Sequence, residues 1–182
     1  MTDAAPAASR AMAWRVLGLA LLLVLGLVGA LSFRMLGRLP DTTIYLVRDL
    51  GGPMTLEPVH RRLRPAEPAA AARATVEALA RGPQPDEAAR GLASEVPGTT
   101  VVRGAWLRDG VLVVDLSADV VGGGGSASMQ GRLAQLTYSL TQPNGIDALQ
   151  LLVEGRPVDA WGGEGIMVAW PWRRPAGGLP RW

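Results

Sequence analysis

Asp109-Gly110 sits between two strand-like runs in "TTVVRGAWLRDGVLVVDLS", residues Thr99 to Ser117. A two-residue hairpin turn needs positive φ at both central positions, and Asp-Gly is among the pairs that supply it most readily. Beyond the turn, Leu112, Val114 and Leu116 alternate with Val111, Val113 and Asp115. The strand period of two therefore puts a wholly apolar face on one side, and that face demands cover.

Two segments offer the cover. "EPAAAARATVEALAR", Glu67 to Arg81, places Ala72, Val76, Leu79 and Ala80 at helical spacing, with Pro68 in the first turn and Gly82-Pro83 as the stop. A second helix is expected from Ser126 to about Thr141, with Ser126 or Ser128 as cap and Met129, Leu133, Leu136 and Leu140 as buried stripe. "TTIYLVR", Thr42 to Arg48, reads as a strand. "MTLEPVHRRL", Met54 to Leu63, reads as another, and Pro58 points it to a sheet edge. Asp86 to Arg90 suits a short helical turn. Pro143-Asn144-Gly145 breaks the second helix, Ala148 to Val153 is a strand, Glu154-Gly155 turns the chain, and Ile166 to Trp170 is a final strand. The expected fold is α+β in the order β-β-α-β-β-α-β(-β), with two helices packed on one face of a small mixed sheet.

Ahead of this lies "VLGLALLLVLGLVGALSF", Val16 to Phe33, 18 residues without a charge between Arg10 and Arg15 on one side and Arg34 and Arg38 on the other. A spanning helix needs roughly 17–25 apolar residues, so the segment suits a single transmembrane helix, with Trp14 as an interfacial anchor. The resulting organisation is an N-terminal tail (1–15), a transmembrane helix or signal anchor (16–34), a linker (35–41), a folded domain (42–173) and a C-terminal tail (174–182). A short tail before a long domain favours the N-terminus inside and the domain outside the cytoplasmic membrane. The alternative is secretion after cleavage near Val28-Gly29-Ala30.

The pI of 9.9 rests entirely on arginine, because the chain has no lysine. Arg10, Arg15 and Arg34 flank the apolar segment; from Met35 onward there are 15 arginines and 15 acids. A formally neutral domain lacks the charge excess of a typical nucleic-acid binder, so no nucleic-acid partner is expected. The absence of cysteine removes disulfides, thiol catalysis and zinc–thiolate sites.

Catalytic patterns are absent as well. His60 is the single histidine and sits beside Arg61 and Arg62 on the edge-type strand, where a solvated side chain is expected. One histidine without cysteine makes a transition-metal site improbable. Asp115 and Asp119 form an acid/base pair only in principle, since their spacing fixes no geometry. Ser117 lacks the flanking glycines of a nucleophile elbow. Gly122 to Gly125 is not followed by Gly-Lys-Ser/Thr, so a flexible loop is the expected reading rather than a phosphate cradle. Neither cofactor nor metal is therefore expected. Trp161, Trp170, Trp172 and Arg173 are the candidate interaction surface, for a protein partner or sugar rings; closing the end of the core is an equal reading.

One resemblance gathers these features. "TVEALARGP", then "GLASEVPGTTVVRGAWLRDGVLVVDLSADV", then "GRLAQLTYSLTQPNGIDALQLLVEGRPV" resemble, in order and spacing, the GerMN domain of sporulation and spore-germination proteins. The resemblance covers about Thr42 to Arg173. It implies a scaffold similar to the ring-building motifs of secretion and sporulation complexes, with no catalytic residues to carry over. It also implies work on the outer side of the membrane, through envelope proteins, self-association or peptidoglycan. The alternatives are an accessory subunit or peptidoglycan-binding module linked to wall amidases, or a cell-wall hydrolase. Two departures stand out: there is no cysteine for a lipid anchor, and one such domain rather than two.

Overall fold

The computed structural model describes residues 18, 24–26, 41–63, 67–141, 146–161, 166–175 and 177–182. The expected N-terminal tail, most of the transmembrane segment, the linker up to residue 40 and the Pro143-Asn144-Gly145 turn lie outside the described residues. Residues 18 and 24–26 are helical. Among the described residues no helix is long and apolar enough to cross a membrane. Residues 1–39 and 40–182 form separate units, and the following concerns the second.

Its elements are β1 (Asp41–Arg48), β2 (Thr55–Arg62), α1 (Pro68–Arg81), α2 (Pro85–Ala89), β3 (Leu92–Ala93), β4 (Val102–Arg108) and β5 (Val111–Leu116). A 3-10 turn (Ala118–Val121) leads into α3 (Ser126–Leu140), followed by β6 (Ala148–Val153), β7 (Arg156–Pro157), β8 (Ala160–Trp161) and β9 (Ile166–Met167). The Asp109-Gly110 hairpin forms as its residues require: φ is 50° at Asp109 and 75° at Gly110, and β4 pairs antiparallel with β5. β6 runs parallel to β5, with Leu149, Leu151 and Val153 aligned to Leu112, Val114 and Leu116. All of these but Val153, which packs against them half-buried, belong to one principal core with Ile44 and Leu46 of β1, Val76 and Leu79 of α1, and Leu133, Leu136 and Leu140 of α3.

The α+β expectation holds, but the single sheet does not. Strands in the order β2-β1-β3 form one sheet, β4-β5-β6-β7 a second, mixed one, and β8-β9 a two-stranded ribbon. The reason lies at the free edge of β1. β3 pairs there only through Val47↔Ala93 and Arg48↔Leu92. In the same antiparallel register the next hydrogen-bonding position would set Tyr45 against Glu95, and there the strands part. The Gln135 side chain fills the gap: its Nε2 donates to the Tyr45 carbonyl at 2.9 Å, and its Oε1 accepts from the Glu95 amide at 2.6 Å. One turn further along α3, Ser139 Oγ accepts the Tyr45 amide at 3.0 Å. An inserted side-chain amide thus replaces a stretch of ladder, and a helix, not a strand, occupies this edge.

α3 is consequently buried nearly all round. Met129, Leu133, Leu136 and Leu140 face the principal core as the spacing predicts, yet Gly131, Arg132, Gln135, Thr137, Tyr138 and Ser139 are buried too. Tyr138 joins Val47 and Leu56 in a second, smaller cluster that includes Tyr45, Met54, Ala134 and Trp182. Neither Ser126 nor Ser128 caps the helix; Gly125 holds the cap position, and the Ser128 hydroxyl donates to the Glu95 carboxylate instead.

The segment 174–182, expected to be a tail, is a strap. Trp172 pairs with Leu149 of β6, with amide-to-carbonyl distances of 2.7 and 2.8 Å. At the other end, Trp182 exchanges backbone hydrogen bonds with Met54 at 2.8 and 3.2 Å, beside the edge of β2. Between them Arg174 donates to the Tyr138 and Thr141 carbonyls at 2.7 and 2.8 Å. It thereby satisfies the last turn of α3 and complements its dipole. Gly131 makes room for the strap, since a Cβ there would lie 3.1 Å from the Trp182 ring.

Replacing Gln135 by leucine keeps the bulk but orphans the Tyr45 carbonyl and the Glu95 amide. At about 1–3 kcal/mol for each unsatisfied buried group, urea unfolding of Q135L should show a loss of about 2–6 kcal/mol against the unaltered chain, with little change for exposed Gln130→Leu.

Candidate functional site

The polar groups that stood out in the sequence are spread over several places. His60 is exposed on β2, with Nδ1 3.5 Å from the Thr43 hydroxyl. Asp115 is half-buried on β5, where it accepts the Gly155 amide at 2.8 Å and lies 3.5 Å from Arg103, which also bridges Glu154 at 2.8 Å. Asp119 accepts from the Ser117 hydroxyl at 3.0 Å, and that oxygen also accepts the Val101 amide at 3.0 Å. Ser117 and Asp119 therefore pin the start of β4 to the end of β5, without a histidine beside them. Among the described residues no cluster of His, Cys, Asp or Glu has metal-holding geometry.

The tryptophans close the core. Trp161 is fully buried, its indole N–H donating to the Met129 carbonyl at 3.0 Å. It therefore leaves the candidate interaction surface, because a side chain of that size with its one donor satisfied inside presents nothing outward. Trp170 and Trp172 are half-buried and packed against the same core, and the Trp170 indole donates to the Val158 carbonyl. Arg173 is exposed and reaches the Asp147 carbonyl at 3.3 Å.

The glycine run has a role that its composition did not reveal. The carbonyls of Val120, Gly122 and Gly123 accept from Arg132 at 2.8, 2.9 and 3.3 Å, and the Glu95 carbonyl accepts from its Nε at 2.7 Å. The loop directs backbone oxygens at a cation, which is opposite in polarity to a phosphate nest. Arg132 is 3% exposed; burial pulls its pKa down from the usual arginine value, opposed by the Glu95 carboxylate. Arg132, Gln135 and Ser139 recur at three and four residues along α3, so one helical face carries a polar row inside the protein. That row was visible in the sequence only as polar letters with no mark to set them apart from Gln130 or Thr137 on the same helix.

A second ion pair fixes α2 to β2. Arg61 and Glu87 pair through both arms at 2.6 and 2.5 Å, and the Glu87 carboxylate also accepts the Gln84 amide at 2.7 Å. Beside this pair an open cleft of about 720 Å³ runs between the end of β2 and the C-terminus of α1, past His60, Arg62 and Arg81.

These features describe a packed module in which Asp115, Ser117, Asp119 and Arg132 each have a structural task. A family model for sporulation and spore germination, Germane, matches residues 43–159, well over half of the chain. The chain belongs to the Germane family. The first GerMN domain of the sporulation protein GerM from Bacillus subtilis shares the fold of this Germane chain. The TM-score is 0.60 at 20% identity, over 74% of this chain and 97% of that one. The tandem GerMN domains of the same protein give 0.59 at 19% identity, over 74% of this chain; the match spans only 44% of the tandem structure. A putative lipoprotein from Clostridium perfringens gives 0.49 at 21% identity, over 70% and 84% of the two chains. No curated protein matches in sequence. At these identities the two GerM matches establish the fold alone.

The hydrogen bonds from Arg61 hold the Glu87 carboxyl below its ordinary value of 4.5, against the opposing effect of burial. A depressed folded-state pKa adds stability that is complete above the unfolded value and is lost as pH falls through the folded one. Glu87→Gln should therefore be less stable than the unaltered Germane chain at neutral pH. Its thermal midpoint should also fall less steeply on acidification below about pH 4.5.

Proposed function

We infer that this Germane chain is a non-enzymatic, membrane-anchored protein on the outer side of the cytoplasmic membrane, acting in envelope or sporulation-related assembly through protein–protein contacts. The observation that carries the reading is the use of its polar residues. Asp115, Ser117 and Asp119 brace the β4–β5 hairpin, the glycine loop wraps Arg132, and Gln135 and Ser139 complete the edge of β1. Catalytic groups are typically poised towards a cleft with perturbed pKa values; these groups are spent on holding strands and loops. The uncharged run Val16–Phe33 supports the anchor by its length and its arginine flanks.

The test is digestion of purified peptidoglycan by the full-length chain in detergent. No soluble muropeptides should appear, whereas release that is lost in the D115A/D119A double variant would establish a wall hydrolase instead. Retention on insoluble peptidoglycan without digestion would favour the accessory, wall-binding role over protein assembly. For the anchor, a periplasmic-type reporter fused after Trp182 should be active and the chain should sediment with membranes.

A further inference from the structure

The geometry points to a second copy of this chain as the partner, joined by antiparallel pairing of β4 with its counterpart. This rests on the reading that the domain works by contacts rather than catalysis.

Unpaired strand edges bind other strands unless they are blunted, and most edges here are. β2 carries Pro58, which has no amide to donate, and its start is taken by the C-terminal strap. β3 and β7 are each two residues long, and β7 includes a proline. The edge of β1 beyond β3 is filled by Gln135 and Ser139. β4 is different. Its start is blocked: Arg73 donates to the Val102 carbonyl, and the register shifts at Arg103. From Gly104 to Arg108 no described strand pairs with the edge opposite β5.

The hairpin fixes which groups are free. Residues flanking a two-residue turn form a hydrogen-bonded pair, and the pairs alternate from there. Arg108↔Val111, Trp106↔Val113 and Gly104↔Asp115 therefore bond within the sheet. The N–H and C=O groups of Ala105 and Leu107 point away from it. Trp106 and Leu107 are 44% and 40% exposed.

A pairing that uses the whole open window, Gly104 to Arg108, has its two-fold axis at Trp106. Ala105 then meets Leu107 of the second copy and Leu107 meets Ala105, each pair exchanging two hydrogen bonds from the groups that were free. Trp106 faces its own counterpart in a non-hydrogen-bonded pair, where side chains come closest and aromatic pairs stabilise sheets. Arg108 lies opposite Gly104, so like charges never meet. At both ends Arg103 comes beside Asp109 of the second copy, which is 93% exposed in this chain. Window, hydrogen-bond phase and charge order select one register, and it closes as a symmetric dimer.

The chain has no cysteine, so Trp106→Cys introduces the sole thiol at the proposed axis. Non-hydrogen-bonded partners sit with Cα atoms about 4.5 Å apart, within the range of about 4.4–6.8 Å that a disulfide bridges. Full-length W106C, mildly oxidised in detergent and in cells, should be trapped as a disulfide-linked homodimer. Val101→Cys, exposed but outside the window, should stay monomeric. Ala105→Pro deletes an outward amide without removing a bond to β5, and the W106C dimer should be lost in that background; Leu107→Pro serves the same purpose if A105P fails to fold. Crosslinking of W106C no greater than that of V101C would overturn the proposal. So would capture of a different protein through W106C in cells, which would make β4 a docking strand for another partner. Either result leaves the peptidoglycan assay untouched, so the pairing and the non-enzymatic reading fail separately.

Discussion

One inserted side chain sets the arrangement of this domain. The Gln135 amide takes the place of a peptide group between Tyr45 and Glu95, where β1 and the segment after β3 would otherwise continue their ladder. A buried backbone donor or acceptor must find a partner, so parting these strands is tolerable only because Gln135 offers one donor and one acceptor in the same plane. With that edge held by a helix, the β1–β2 hairpin stays a separate sheet from β4–β7; α3 lies along β1, and α1 packs against strands of both sheets.

The other buried polar groups of α3 follow from this placement. Its outward side cannot be solvated, because the strap from Trp172 to Trp182 crosses it, so Arg132 needs the glycine-loop carbonyls and the last turn needs Arg174. The Arg174 guanidinium also lies 4.8 Å from the Tyr138 ring centroid, stacking charge on the aromatic face. Buried hydrogen bonds each contribute only about 0.5–1.5 kcal/mol when made, but leaving one unmade costs more. The polar row of α3 thus acts chiefly as a constraint on which arrangement is admissible.

Legibility in the sequence divided along the same physical line. Local signals were sufficient for the Asp109-Gly110 hairpin, for α1 between Pro68 and Gly82, and for Ala148–Val153, since turn chemistry and periodicity act over a few residues. The two-sheet division was not legible, because it depends on Gln135 meeting Tyr45 across 90 positions of chain. Nor was the strap: a Pro- and Arg-rich terminus reads as a tail until its hydrogen-bond partners are known. Trp161 illustrates the ambiguity of aromatics, whose size and single polar atom suit a core or an interface equally. Of the candidate surface, only Arg173 is fully outward.

A module built in this way spends Arg132, Gln135 and Ser139 on internal bracing within the GerMN fold of the Germane family. Residue-resolved hydrogen exchange of the Tyr45 and Glu95 amides tests that bracing most directly, because these are the donors that α3 takes over from a strand. Groups held in the core exchange only through large-scale opening, whereas groups at a frayed edge exchange through local fluctuation. The account predicts that both amides exchange at the rate of the slowest core amides, such as those of Val114 and Leu151. Exchange as fast as that of the exposed Asp49–Gly52 turn would show the edge of β1 to be open and would contradict it.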